Sequence, residues 1–574
     1  MLDLTLATEF VPGTNLKGSV AGANWSFMLP SLELERVVCF GLPSTAALTT
    51  LARIGREVVV VGSDVRQLRA ADTQRRLGNL ANVRTLVLEG GTVAALPNTS
   101  IDLAVIVGRN GVRQLTSDDE LSMELRRLLK PEGLVYCEFH GPPDQALAGM
   151  QRRAGGEGFG SPSLFWLTPL QGEMHTAVPL RDRVTMNYFI RQSLYSPSVK
   201  LRMFRRAERF LMRHHFLSRY TRRYGALLGR ARPDLDERPP RYLRALAQES
   251  GIDLANHRWG LSARGQFSSR KVLFLLFDRE SATPEYIVKM TRDPAFNPRL
   301  ENEYRALTVL HERGIGDRET LPQVVFHGHH GGLAIVGETM IAGTPFRQRT
   351  TARPDCPYAR AAIDWLIELG AATADHTAAT PWQAAESLEV LFRRFMQIYR
   401  LSPVQRNFLA DQLAALGRSR AAFPLVFQHG DPGTWNILVT PQGRPVFLDW
   451  EAAEAQGIPL WDLFYFVRAF GAWSARLAGA KDSLKSFAQQ FLAESAFSPL
   501  LIDATARYCA QTGLSTTLVE PLFYTCWMHR ALKEATRLSS GRLERGHYVR
   551  LLRLCIDQRD SPTLRRLFSL ATAC

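Results

Sequence analysis

Short apolar runs alternate with amphipathic stretches from Arg36 to Phe139. Arg36–Phe40 (RVVCF), Glu57–Val61 (EVVVV), Arg84–Leu88 (RTLVL), Ile101–Val107 (IDLAVIV) and Gly133–Phe139 (GLVYCEF) are mostly rich in β-branched residues and bounded by turn residues. Runs of this length and composition predict buried strands, apolar on both faces. Between them, Thr45–Ile54 and Glu120–Leu129 carry helical spacing. Such alternation predicts a doubly wound α/β layer: a parallel sheet, right-handed crossovers, and ligands at the carboxyl ends of the strands. The signals weaken from Gly141 to Pro197, where Gly and Pro cluster, as in Gly155-Gly156-Glu157-Gly158. From Val199 to Leu228, Met203, Ala207, Phe210, Leu217, Tyr220 and Tyr224 recur mostly every three or four residues, with arginines between them. That spacing predicts a basic amphipathic helix, closed by Pro233, Pro239 and Pro240.

The pattern changes at Trp259. Leu261–Ala263, Lys271–Phe277 (KVLFLLF) and Tyr286–Met290 (YIVKM) predict consecutive antiparallel strands. A helix over Arg299–His311 follows, then strands around Gln323–His327 and Leu333–Thr339. Beyond Pro354 the spacing is almost wholly helical, broken by strand-like pieces at Pro424–Phe427, Ile437–Thr440 and Pro445–Leu448. These shifts divide the chain into residues 1–150, an irregular and basic connector over 151–250, and residues 251–574.

Composition narrows the setting. The 574 residues are 45% apolar and 22% charged, which is ordinary for a globular protein. The net charge of +15 is uneven, because Arg181 to Ala245 holds 17 Lys and Arg against 5 Asp and Glu. Elsewhere the chain is close to neutral, and it has no RNA- or DNA-binding motif, so no specific nucleic acid is expected. The basic segment 199–228 reads as the solvated face of a packed helix. With Phe204, Phe210, Phe216 and Tyr220 among its arginines, it also suits contact with an anionic membrane at the inner surface. No secretory leader or membrane-spanning run is evident, and seven scattered cysteines form no metal spacing. A reducing, cytoplasmic compartment is the expectation.

The densest chemistry is His429-Gly430-Asp431-Pro432-Gly433-Thr434-Trp435-Asn436, followed by the apolar run Ile437-Leu438-Val439. A second carboxylate comes in Val446-Phe447-Leu448-Asp449-Trp450-Glu451. Phosphoryl transfer needs positioning and charge neutralisation more than covalent chemistry. It requires a carboxylate at the acceptor hydroxyl, hard oxygens for magnesium, and a cation on the nucleotide phosphates. Asp431 supplies the first, Asn436 and Asp449 the second. Lys289 ends an apolar strand and supplies the third. A lysine there wants an acidic partner; Glu303 on the following helix is the expected one, with Glu301 the alternative.

The region from about Trp259 to Leu538 resembles the aminoglycoside phosphotransferase and choline kinase family. The resemblance implies a bilobal α+β, protein-kinase-like fold with a largely helical C-terminal lobe, using ATP and magnesium. It implies that Asp431 is catalytic, that Asn436 and Asp449 hold the metal, and that Asp462 braces the catalytic loop. Glu338-Thr339-Met340-Ile341-Ala342-Gly343 resembles the family's hinge, so the backbone at Glu338 and Met340 is expected to hold the adenine. The nucleotide-covering loop, Gly260 to Lys271, offers Gly265, Ser268 and Ser269 but no full GxGxxG. Pro432 and Trp435 replace small or basic residues, which leaves the acceptor open. A small-molecule or saccharide hydroxyl, glycolipid included, is the expected class. About a dozen residues separate Asp449 from Asp462, little room for a protein kinase's activation segment.

Arg36 to Phe139 resembles the class I S-adenosylmethionine-dependent methyltransferases, a Rossmann-like fold. The resemblance rests on Ala94–Leu103 and Leu125–Gly133, and on Asp64 where the family's ribose-binding acid ends the second strand. The first loop, Val38-Cys39-Phe40-Gly41-Leu42-Pro43-Ser44, keeps only Gly41 of the glycines expected there. Both a working methyltransferase and a retired scaffold fit this loop, and a non-catalytic protein built from two such folds is the alternative for the whole chain.

Overall fold

The computed structural model describes residues 22–572 apart from 63, 89–91, 109–118, 141–158, 161, 170–171, 194–202, 204–205, 208–222, 230–237 and 264–270. Two compact units form, Leu16–Leu300 with Val324–Met340, and Glu301–Gln323 with Ile341–Cys574. The division therefore falls well past the composition boundaries at 150 and 250.

One sheet explains why. In the first unit β1 (Leu34–Phe40), β2 (Gly55–Gly62), β3 (Val83–Val87), β4 (Ile101–Ile106) and β5 (Leu129–His140) pair in parallel in the order 3-2-1-4-5. The five strands predicted from apolar runs are all present; the apolar residues on both faces of β1, β2, β4 and β5 are buried, whereas β3, at the edge of the sheet, buries only Val83. Eight more strands continue the sheet antiparallel: β6 (Ser163–Thr168), β7 (Thr176–Pro179), β8 (Arg223–Gly229), β9 (Arg258–Ser262), β10 (Lys271–Phe277), β11 (Tyr286–Thr291), β12 (Val324–His330) and β13 (Leu333–Thr339). The full order is β12-β13-β11-β10-β9-β7-β6-β8-β5-β4-β1-β2-β3. The seam is β7 against β9, where Thr176 faces Ser262 and Ala177 faces Leu261.

β8 corrects the predicted basic helix at its C-terminal end. Arg223–Gly229 is a fully buried strand between β5 and β6, not helix. Tyr224-Gly225-Ala226-Leu227-Leu228-Gly229 is apolar with two glycines, and pairing on both sides overrides a helical phase set by the arginines before it. Most of 199–222 lies outside the described residues, as do Gly155–Gly158, Gly265, Ser268 and Ser269.

An N-terminal segment ties the sheet together. The short 3₁₀ turn Asn24–Met28 buries Trp25 on Tyr136, ring centroids 3.8 Å apart. Asn24 donates to Met174 O at 2.7 Å and accepts from Arg292 at 3.0 Å. Tyr242 donates to Phe27 O at 2.9 Å, and Leu32 N–H donates to His330 Nε2 at 3.0 Å. Residues from the parallel strands, this segment and β9–β13 share one apolar cluster.

The second unit is mainly helical, as expected, with long helices at Pro357–Thr373, Pro381–Ile398, Pro403–Arg418, Trp461–Leu477, Ser498–Thr512 and Val519–Ala535. Pro at the first helical position and Thr380 or Ser402 capping boxes start two of them. Two small ladders, Val426–Gln428 with Glu454–Gly457 and Ile437–Val439 with Pro445–Phe447, frame the segment 429–436. Among the described residues no helix is long and apolar enough to cross a membrane, and six cysteines are free and buried.

Candidate active site

The loop His429–Asn436 is held from three sides within the second unit. Asp462, at the start of the helix Trp461–Leu477, accepts from His429 N–H at 2.6 Å and from Gly430 N–H at 3.2 Å. Burial pushes this carboxyl up, although His429, Arg530 and the two N–H groups favour its charge. Asp462 thus performs the bracing role that the resemblance implies. His429 is fully buried; its Nδ1 accepts from Asp431 N–H at 3.2 Å and its Nε2 faces Leu448 O at 2.9 Å. Through these two bonds the ring links the loop to the residue before Asp449. Gly430 sits at φ +76°, and a Cβ there would meet Ala452 O at 1.9 Å, so only glycine lets the two backbones approach this closely.

Asp431 is gripped from the helix Val519–Ala535. Arg530 donates to Gly430 O at 2.8 Å and to Asp431 Oδ1 at 3.2 Å, and its guanidinium lies 3.1 Å from the centre of the Tyr465 ring. Burial alone would raise the Asp431 carboxyl. Arg530, with Tyr465, Arg537 and His429, outweighs burial and holds it below the usual carboxylate range. One turn on, Lys533 faces Gly430 O at 3.4 Å and Glu454 at 3.7 Å. None of these partners was found by sequence reasoning. The available signal was a charged residue, Arg530, directly after the aromatic run Phe523-Tyr524-Thr525-Cys526-Trp527-Met528-His529.

The two metal candidates have suitable chemistry. Asn436 donates its amide to Asp431 O at 3.0 Å, which turns the amide oxygen away as the remaining hard donor. Asp449 follows the strand Pro445–Phe447 and has φ +70°, a left-handed backbone that a non-glycine residue adopts at a cost. No cluster of three or more His, Cys, Asp or Glu suited to a metal occurs among the described residues. Two protein oxygens fit magnesium, which keeps waters and takes its other ligands from phosphates.

Glu303 belongs to this same unit. Its helix, Asn297–Glu312, presents it fully buried, and its carboxylate accepts from Trp450 N–H at 3.1 Å, one residue past Asp449. Asn302 beside it donates to Ala453 O at 2.9 Å. Glu303 therefore anchors the backbone that carries Asp449.

Lys289 lies in the first unit, on β11, and meets Glu338 on β13 with both carboxylate oxygens, at 2.8 and 2.7 Å. The side chain of Glu338, expected only to lend its backbone at the hinge, is thus an ion-pair partner of the lysine. Met340 needs a correction too. Its N–H donates to Glu285 O at 2.8 Å and continues the β11–β13 ladder, so it is not available to an adenine. The next N–H along the chain, at Ile341, lies past the ladder.

In the parallel layer Gly41 ends β1 at φ +100°, and its N–H donates to Val61 O at 2.9 Å. Asp64 follows β2 and caps the helix Val65–Leu77, accepting from Arg66 N–H at 2.8 Å. One carboxylate oxygen is spent on that cap; a ribose would have to share the group.

Three structural likenesses are of low identity and low TM-score. An S-adenosylmethionine-dependent methyltransferase from Aquifex aeolicus is 17% identical over 23% of this chain and 76% of its own, at TM-score 0.20. The YcgJ protein from Bacillus subtilis is 13% identical over 36% and 96%, at 0.24. The bifunctional kinase-methyltransferase WbdD is 12% identical over 84% of both chains, at 0.24. No curated protein matches the sequence. Residues 262–494, which carry Lys289, Glu303, Asp431, Asn436 and Asp449, match the family model described as the phosphotransferase enzyme family.

Proposed function

We propose that the chain is an ATP- and magnesium-dependent phosphotransferase that phosphorylates a hydroxyl of a sugar, a glycolipid or another small molecule. The observation that carries this is the braced loop: Asp431, charged and aimed by Arg530, five residues from Asn436 and tied through His429 to Leu448, the residue before Asp449. Asp431 orients the acceptor hydroxyl and takes its proton. Asn436 and Asp449 hold magnesium, which neutralises the phosphates when bound. Lys289 takes the phosphates from the nucleotide side, and the backbone N–H at Ile341 takes the adenine.

Thermal melting tests it. ATP with magnesium is expected to raise the midpoint of the intact chain, and the Asp449→Ala variant to lose that shift, because only a ligand bound to the folded state stabilises it. No shift at millimolar ligand would leave a non-catalytic scaffold. The same melt with S-adenosylmethionine decides whether Gly41 and Asp64 still serve a cofactor.

Trp435 supports a ring-shaped acceptor. Four residues from Asp431, it is 46% exposed, its indole lies against Gly433, and Arg347 braces it at 5.2 Å from the ring centre while donating to Thr434 Oγ1. A half-exposed indole with a guanidinium held over its ring suits an acceptor with apolar C–H groups and hydroxyls, such as a sugar. In an ATP-consumption assay over saccharides and amino alcohols, Trp435→Ala is expected to raise the acceptor KM about tenfold and leave the KM for ATP unchanged. An unchanged acceptor KM would remove the indole from the acceptor site.

A further inference from the structure

Arg347 bears a charge that no carboxylate among the described residues neutralises. It belongs to the short helix Phe346–Arg349, which follows the strand Thr344–Pro345. That strand pairs with Ile437–Val439, directly after Asn436, and Phe346 is fully buried against Phe466 and Phe470. The backbone at Arg347 is thus fixed beside the loop His429–Asn436. Its Nε donates to Thr434 Oγ1 at 2.9 Å, and its guanidinium lies 5.2 Å from the ring centre of Trp435 and 4.7 Å from that of Trp473. Trp473 is itself held, donating to Thr350 Oγ1 at 3.0 Å. Among the described residues nothing bonds the two terminal nitrogens of Arg347. Two carboxylates of the site are engaged elsewhere, Asp431 by Arg530 at 3.2 Å and Glu454 by Lys533 at 3.7 Å. Burial first, and the like charge of exposed Arg476 second, weigh against the charge on Arg347. A guanidinium held over two indoles, with its terminal edge unpaired, is arranged to take an oxyanion through two parallel N–H···O bonds. The loop sets its place: Thr434 and Trp435 come three and four residues after Asp431. Trp435 stands edge-on to Tyr465, ring centres 6.3 Å apart, and Tyr465 carries Arg530 on its face.

We propose that the acceptor carries an anionic group, a phosphate monoester or a carboxylate, and that Arg347 binds it while Trp435 takes the adjoining carbon frame. This rests on the phosphotransferase reading above and narrows its acceptor from sugars at large to sugar phosphates and sugar acids. The terminal phosphoryl group still passes from ATP to a hydroxyl, leaving ADP; the anionic group is bound and left unchanged. Arg347 is then the residue that sets acceptor specificity. Amine-bearing acceptors are disfavoured, because Arg347 and Arg476 repel them.

The test is acceptor binding to the full chain with its nucleotide site filled by MgADP, read by titration calorimetry. The probes are glucose, mannose and galactose, each beside its phosphate monoester at the primary hydroxyl and its uronic acid, with glucosamine as the cationic member. At least one charged member is expected to bind about 10- to 100-fold tighter than its parent hexose, the range of charged hydrogen bonds, and glucosamine more weakly than glucose. A preference confined to the phosphate esters assigns a phosphate to the site, and one confined to the uronic acids a carboxylate. Arg347→Met is expected to abolish the preference, and Arg347→Lys, which keeps the charge but not the fork, to retain only part of it. Melting curves without ligand separate this from loss of fold. Anion binding that survives Arg347→Met unchanged would belong to the nucleotide's phosphate site and overturn the assignment. Equal affinities within each pair, or no binding by any charged member, would overturn it too. So would an Arg347→Met variant that weakens charged and neutral members alike, the result for an arginine that only braces the indole. If the unaltered chain fails to bind MgATP, the phosphotransferase reading falls and takes this proposal with it. If MgATP binds, those outcomes overturn the acceptor assignment alone.

Discussion

Asp431→Asn is expected to lower kcat by about 10³-fold while MgATP binding stays at the level of the unaltered chain. The amide has nearly the shape of the carboxylate and keeps a carbonyl oxygen for Arg530, but it cannot accept the acceptor's proton. Arg530 retains Gly430 O at 2.8 Å and the face of Tyr465, so its charge is not stranded and the melting point should fall little. A loss in KM for ATP with kcat intact would move Asp431 from the reacting centre to the binding of nucleotide.

The carboxylate's surroundings make a second, signed expectation for the same loop. As the proposed proton acceptor Asp431 would act deprotonated, and its carboxyl is held below the usual range by Arg530 against the opposing pull of burial. Activity is thus lost on the acid side only as pH falls through that lowered value. The same charge adds stability that is present above the unfolded carboxyl's range and is lost as pH falls through the folded value. Arg530→Met keeps a long apolar stem over Tyr465 but removes the opposing charge, leaving burial to dominate. The acid limb of kcat should move to higher pH in this variant, and a limb coincident with that of the unaltered chain would show that Arg530 does not set the protonation of Asp431.

What could be read from the chain alone divides along physical lines. Glu57–Val61 and its companions are apolar on both faces whatever their neighbours, so the parallel layer is legible from local pattern. His429 through Asn436 is legible because its chemistry is contiguous. Arg530 is not, since 99 residues separate it from Asp431 and only folding of the helix Val519–Ala535 brings it back. The partner of Lys289 is equally non-local. The register of β11 on β13 brings Glu338 within reach of the lysine. Thr176–Pro179 is too short to announce a strand, and Arg223–Gly229 acquires its conformation from β5 and β6 on either side. The same non-local pairing hides the true boundary between units: composition breaks near residue 250, where the sheet does not.

A chain containing only residues 251–574 is therefore expected not to fold. Cutting there frees the edge of β9, which pairs with β7, and uncovers Trp259 and Leu261, both buried in the intact protein. Trp259 loses Phe165, whose ring centre is 5.8 Å away, and Ala263 N–H loses His175 O at 2.7 Å. Arg292 loses Asn24, and His330 loses both Leu32 N–H and, on the ring face, Tyr242 at 4.6 Å. Above all, Trp25, Phe27, Met28, Leu29 and Leu32 leave the cluster they share with Val288, Met290, Phe274 and Leu333. At about 1.5–3 kcal/mol for each buried side chain of this size, the loss is on the order of 10 kcal/mol, comparable with the whole stability of a typical domain. The exposed apolar edge would also invite association between copies. Expression of 251–574 should yield aggregated protein with no cooperative melt, while the intact chain shows the transition and its shift with MgATP. A soluble 251–574 that melts cooperatively and responds to MgATP would show that the continuous sheet is two separable halves. The aggregated outcome would make the parallel layer part of the folding unit that carries Lys289 and Glu338, whether or not it binds S-adenosylmethionine, because both residues stand on strands of the sheet that layer completes.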